Sequence, residues 1–126
     1  MTTINKVEFA GWPNCYKLEN GIVDLIVTSD VGPRIVRYGF IDGANEMCEV
    51  KEQQGNTGGD EWLIYGGHRL WHSPEGKPRS YFPDNSPVEV KVIENGVRIS
   101  QSVETTTGIK KDMEITLHPE TSAVTI

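Results

Sequence analysis

The residues best suited to chemistry stand close together. The run Tyr65-Gly66-Gly67-His68-Arg69-Leu70-Trp71-His72-Ser73-Pro74-Glu75 holds two of the chain's three histidines, an arginine, a tryptophan and a carboxylate. An unperturbed imidazole titrates near neutrality, so His68 and His72 are the candidate catalytic groups, acting as proton donors. Arg69 supplies a planar fork of N–H donors, while Tyr65 and Trp71 supply flat apolar faces with a polar tip. Between Tyr65 and Phe82, three cations (Arg69, Lys77 and Arg79) stand against one carboxylate, Glu75. That is a local charge of +2 in a chain of net charge −6. Five of the ten aromatic residues, Trp62, Tyr65, Trp71, Tyr81 and Phe82, fall within 21 residues of one another. The paired glycines allow the backbone to approach a ligand closely or to turn sharply. A sugar or sugar phosphate meets this description. Its apolar C–H faces stack on aromatic rings, and its hydroxyls need multi-donor partners. The expected substrate-binding residues are Arg34, Tyr65, Arg69 and Trp71. The opposing reading is an aromatic loop folded onto a scaffold, with Arg69 paired to a carboxylate.

Other chemistries find less support. His68 and His72 are four apart, the spacing of metal ligands on a helix, but Gly-Gly precedes them and Pro74 follows. In an extended segment they lie about 13 Å apart, at about 3.3 Å per residue, so no metal site is expected. Neither a phosphate-binding Walker run, a Gly-x-Gly-x-x-Gly fingerprint, a Gly-x-Ser-x-Gly elbow nor a Cys-x-x-Cys pair occurs, and no cofactor is expected. The acidic balance, 18 Asp+Glu against 12 Lys+Arg, repels phosphate backbones and argues against nucleic-acid or membrane-surface partners. No apolar run approaches the 18 residues of a membrane span. Met1–Lys6 lacks the charged and apolar regions of a secretory signal. Cys15 and Cys48 are too few for a disulfide framework and read as reduced thiols. The expected location is the cytoplasm.

The elements that must position these residues are strands. Glycine and proline together make up 20 of 126 residues, which suits short strands and turns. Val23, Leu25 and Val27 alternate with Ile22, Asp24 and Ile26, a strand buried on one face and half-buried on the other. Asn20-Gly21 and Asn95-Gly96 each stand between alternating runs and read as type I′ turns. They pair Cys15–Glu19 with Ile22–Thr28, and Val88–Glu94 with Val97–Thr105. Further turns at 106–108 and 118–121 make residues 88–126 a four-stranded antiparallel meander. Gly32-Pro33 sets a turn from which Arg34 opens the next strand, with Arg34 and Arg37 on opposite faces because their separation is odd. Residues 51–87 lose alternation and read as long structured loops around one short strand near Trp62–Tyr65. The fold class is therefore all-β, an antiparallel β-sandwich in a single domain over 1–126. The last strand, Ser122–Ile126, is too short to pair along all of Ile109–Leu117. The domain is thus expected to be part of a larger sheet protein or to associate through open sheet edges as a homo-oligomer.

Three runs carry a family resemblance: Thr28-Ser29-Asp30-Val31-Gly32-Pro33-Arg34-Ile35, Tyr38-Gly39-Phe40-Ile41-Asp42-Gly43 and Gly66-Gly67-His68-Arg69-Leu70-Trp71. In that order they resemble the first half of the galactose mutarotase-like proteins, which include aldose 1-epimerases and hexose-6-phosphate epimerases. The resemblance implies part of a β-supersandwich with a sugar-binding face. It implies epimerase-type activity in a complete protein about twice this length, whose catalytic His and Glu lie beyond the positions matched here. Tyr65 stands where the family commonly has a sugar-binding His or Arg. Three functions follow as expectations: a mutarotase-like sugar-active protein, a carbohydrate-binding β-sandwich without catalysis, and a protein-interaction module with the aromatic loop as its contact patch.

Overall fold

A computed structural model describes all residues from Met1 to Ile126. Nine strands form two antiparallel sheets, the all-β class that the alternation predicts, with β1 at Thr3–Phe9 as a strand that it does not. The first sheet orders β1 (Thr3–Phe9), β2 (Trp12–Glu19), β3 (Val23–Thr28), β4 (Arg34–Phe40) and β5 (His68–Arg69). The second is the expected meander of β6 (Glu89–Ile93), β7 (Gly96–Ser100), β8 (Asp112–Leu117) and β9 (Val124–Thr125). No helix is long and apolar enough to cross a membrane.

The main core lies between the sheets. Leu18, Val23, Leu25, Val27 and Ile35 from the first sheet meet Val97, Ile99, Met113, Ile115 and Leu117 from the second. A second apolar cluster (Trp12, Cys15, Ile26, Val31, Val36 and Tyr65) covers the outer face of the first sheet. Strand β3 is therefore buried at all six positions, not half-buried on one side. Its outer residues are Ile26, inside that second cluster, Asp24, which Arg37 pairs at 2.8 Å, and Thr28, whose hydroxyl accepts the Asp30 N–H.

Both Asn-Gly turns close hairpins, but neither places Asn-Gly at the two central positions. In the first, Gly21 (φ +86°) and Ile22 are central, and the Asn20 N–H bonds the Val23 carbonyl at 3.3 Å. The Asn20 side chain is committed elsewhere. Its Oδ1 accepts the N–H groups of Ile22 and Val23, and its Nδ2 donates to the carbonyls of His118 and Thr121 in the turn between β8 and β9. In the second, Ile93 pairs with Gly96, so Glu94 and Asn95 (φ +55°) form the turn. Gly96 instead opens β7, where a methyl group on it would stand 2.0 Å from the Ile115 carbonyl oxygen.

Two further expectations change. No strand forms at Trp62–Tyr65; the short strand is β5, whose Arg69 and His68 pair with Arg34 and Ile35. Arg34 and Arg37 share one face, because the register shifts there. Ile26 pairs with Arg37 and Val27 with Ile35, which leaves Val36 as an extra residue on β4. One inserted residue reverses the parity that alternation predicts. At the other end of the chain, β9 pairs only Thr116 and Leu117 of β8.

The loop between β7 and β8 is held by a buried carboxylate. Glu104 is 2% exposed and accepts from the Gln101 amide, the Thr107 hydroxyl and the Lys111 ammonium. Burial opposes its ionisation, but these three donors outweigh burial and hold the carboxyl below its ordinary range. A depressed native pKa contributes stability that is present above the unfolded value and lost as pH falls through the native one.

Two outcomes follow. Gly96→Ala is expected to destabilise the fold by about 1–3 kcal/mol, since strand backbone cannot yield as a side chain can; urea unfolding with an unchanged m-value measures it. Acidification from about pH 5 to pH 3 is expected to lower the wild-type urea midpoint more steeply than that of Glu104→Gln, which lacks the titrating group.

Candidate functional site

Arg34 is fully buried, and its guanidinium organises the loop that crosses the outer face of the first sheet. One terminal nitrogen donates to the carbonyls of Ile64 at 2.7 Å and Gly66 at 2.6 Å. The other pairs with Asp84 at 2.9 Å, both side chains being nearly sealed from solvent. The Asp84 carbonyl in turn accepts the Gly32 N–H at 2.9 Å. Arg34 also lies 5.1 Å from the Tyr65 ring centre, and Tyr65 packs edge-on against Trp12 at 5.9 Å. Burial and the Asp84 charge push the Tyr65 phenol up, with Arg34 opposing. Arg34 and Tyr65 thus belong to a buried anchor and present no surface to a substrate.

The glycine pair serves the same anchor. Tyr65, Gly66 and Gly67 all have positive φ, at 53°, 98° and 73°. A methyl on Gly66 would stand 2.2 Å from the Cys48 carbonyl oxygen, and one on Gly67 2.0 Å from that of Ile35. The close approach is therefore to the protein's own backbone. The reversal delivers the chain into β5 alongside β4.

Strand alternation then divides the predicted residues. Arg69 pairs with Arg34 and shares its outer face, whereas His68 pairs with Ile35, a residue of the main core. His68 is exposed on the face opposite Arg69. Beyond β5, Trp71 returns to the side of Arg69, whose guanidinium carbon lies 3.8 Å from the Trp71 ring centre and 4.9 Å from that of Trp62. Trp62, Trp71 and Tyr81 meet edge to face, at 6.1 Å, 5.0 Å and 5.4 Å between centres. Lys77 lies 5.5 Å from the Tyr81 ring centre. An open hollow of about 510 Å³ is lined by Trp62, Lys77, Pro78 and Tyr81.

A three-residue helical turn, Arg79–Tyr81, holds Tyr81 in this platform. Ser80 beneath it is buried and accepts the Gly76 N–H, and the Tyr81 hydroxyl donates to Glu75. His72 is fastened to the same turn. Its Nε2 lies 2.7 Å from the Arg79 carbonyl oxygen, which accepts only, so Nε2 carries the proton. Its Nδ1 is buried without a partner. The platform therefore unites Arg69 and Trp71 with Trp62, Lys77 and Tyr81. The last three are visible in the sequence only as aromatic and cationic density.

Arg69 is electrostatically distinct. Arg34, Arg37 and Arg98 each meet a carboxylate, whereas Arg69, like Arg79, forms no ion pair, and the half-buried Arg69 side chain makes no hydrogen bond. Burial lowers its guanidinium to about 10, with Arg34 adding to the effect and Asp84 opposing it. The arrangement suits stacking and hydrogen bonding to a small ligand. No contact joins His68 to His72 as an acid–base pair: His68 is exposed on the face of β5 opposite Arg69, and His72 Nε2 is tied to the Arg79 carbonyl.

Arg34→Met is expected to cost about 3–5 kcal/mol in urea unfolding, because it strands the buried Asp84 charge. Adding Asp84→Leu should restore a substantial part of that loss, and strictly additive losses would show that the pair is uncoupled. Comparison with protein-family models, curated proteins and solved structures found no match to this chain.

Proposed function

We propose that this chain is a carbohydrate-binding β-sandwich of mutarotase-like kind, with the hollow at Trp62, Lys77, Pro78 and Tyr81 as its sugar site. The three-ring platform is the observation that carries the reading. Trp71 is 41% exposed, although tryptophan is highly buried on average. Flat rings beside cationic donors match the two chemical aspects of a pyranose, its apolar C–H face and its rim of hydroxyls. The hollow lies within the usual size range of small-molecule sites. Binding without turnover fits the separated histidines better than epimerisation within this chain. Association through the edge of β8 that β9 leaves uncovered, and residence in the cytoplasm, complete the reading.

Glucose and galactose are expected to change tryptophan fluorescence saturably and to give matching isotherms by calorimetry. Trp62→Ala should weaken binding about three- to tenfold, the worth of one lost ring contact. A polarimetric anomerisation assay should run at the spontaneous rate. Absence of a saturable response to both sugars removes the saccharide reading. Accelerated anomerisation that His72→Asn abolishes replaces binding with catalysis.

A further inference from the structure

We infer that the ligand of the aromatic hollow is an acidic sugar, whose carboxylate is received by the unpaired fork of Arg69. This inference rests on the saccharide reading above and specifies its substrate class. In a chain with 18 carboxylates, the cations of this loop are left without acidic partners. Arg69, Lys77 and Arg79 form no salt bridge, and the nearby carboxylate, Glu75, is engaged by the Tyr81 hydroxyl. None of the Arg69 nitrogens is sealed from solvent, so its donors are reachable.

The geometry selects the kind of anion. Trp71 and Trp62 lie against the Arg69 guanidinium at 3.8 and 4.9 Å, and no protein acceptor takes its side-chain N–H groups. A planar carboxylate matches that fork with two parallel hydrogen bonds. Burial already disfavours the Arg69 charge, and an incoming monoanion restores its balance. A phosphate dianion is more strongly hydrated and would lose more on entering a site walled by indole and phenol rings. The sugar ring then extends over Trp62 and Tyr81 toward Lys77 in the hollow.

Calorimetric titration of the full chain with glucuronate, glucose, glucose 6-phosphate and acetate tests this, with each variant's fold checked by circular dichroism. Glucuronate is expected to bind about ten- to a hundredfold tighter than glucose, as for hydrogen bonds to a charged group. Acetate alone should bind far more weakly than glucuronate, and the glucuronate preference should fall as salt is raised. Arg69→Gln should bring the glucuronate-to-glucose ratio to within about threefold of unity, and Arg69→Lys should recover only part of it, because the charge returns without the fork. Equal affinity for glucuronate and glucose overturns the acidic-sugar inference and leaves the saccharide reading standing. Tighter binding of glucose 6-phosphate than glucuronate overturns the choice of carboxylate. Acetate binding as tight as glucuronate, or no binding by any probe, overturns both readings.

Discussion

The buried contact between Arg34 and Asp84 is the constraint on which the outer half of the molecule depends. Two full charges removed from water are tolerable only when each is paired and further hydrogen-bonded. Arg34 meets that condition with three partners on two stretches of chain: the Asp84 carboxylate, and the carbonyls of Ile64 and Gly66. The loop from the end of β4 to the start of β6 is thereby gathered over the first sheet. Without the contact, Tyr65 would lose its lid and β5 its entry direction. The aromatic platform would then have no fixed base.

The platform itself is built by a division of labour between strand and loop. β5 contributes only two residues, but pairing with β4 sets Arg69 on the outer face and His68 on the other. The remaining rings come from segments with no regular structure, Trp62 before β5 and Tyr81 in a single helical turn after it. Rigidity in such a group comes from mutual packing. Each ring supports the other two edge to face, and Arg69 spans two of them. A rigid platform suits recognition because little side-chain freedom remains to be lost when a ligand arrives.

Much of the fold is legible in the residue pattern alone. Two-residue alternation marks β6, β7 and β8, since one inward face and one wet face leave a period that composition does not hide, and it marks β3 less cleanly because both of its faces are buried. The meander is legible because each turn carries its own polar and glycine markers. β1 gives no such signal; its apolar residues Ile4, Val7 and Phe9 skip the alternation, and the pairing with β2 shifts register between Val7 and Phe9. The turns fall where Asn-Gly puts them but differ in type from the expected one. Asn20 is engaged by the turn between β8 and β9, through contacts separated by about a hundred residues in the chain.

The candidate site divides along the same line. Residue types and their density near 62–82 are properties of the sequence, and they determined that rings and cations would concentrate in one loop. Which of them face a common hollow was decided only in three dimensions. A single inserted residue in β4 put Arg34 on the outer face, where Asp84 seals it from any ligand. The same pairing set Arg69 beside the rings and His68 away from them. The period of a strand can be read locally, but its parity depends on bulges and on partners distant in the chain.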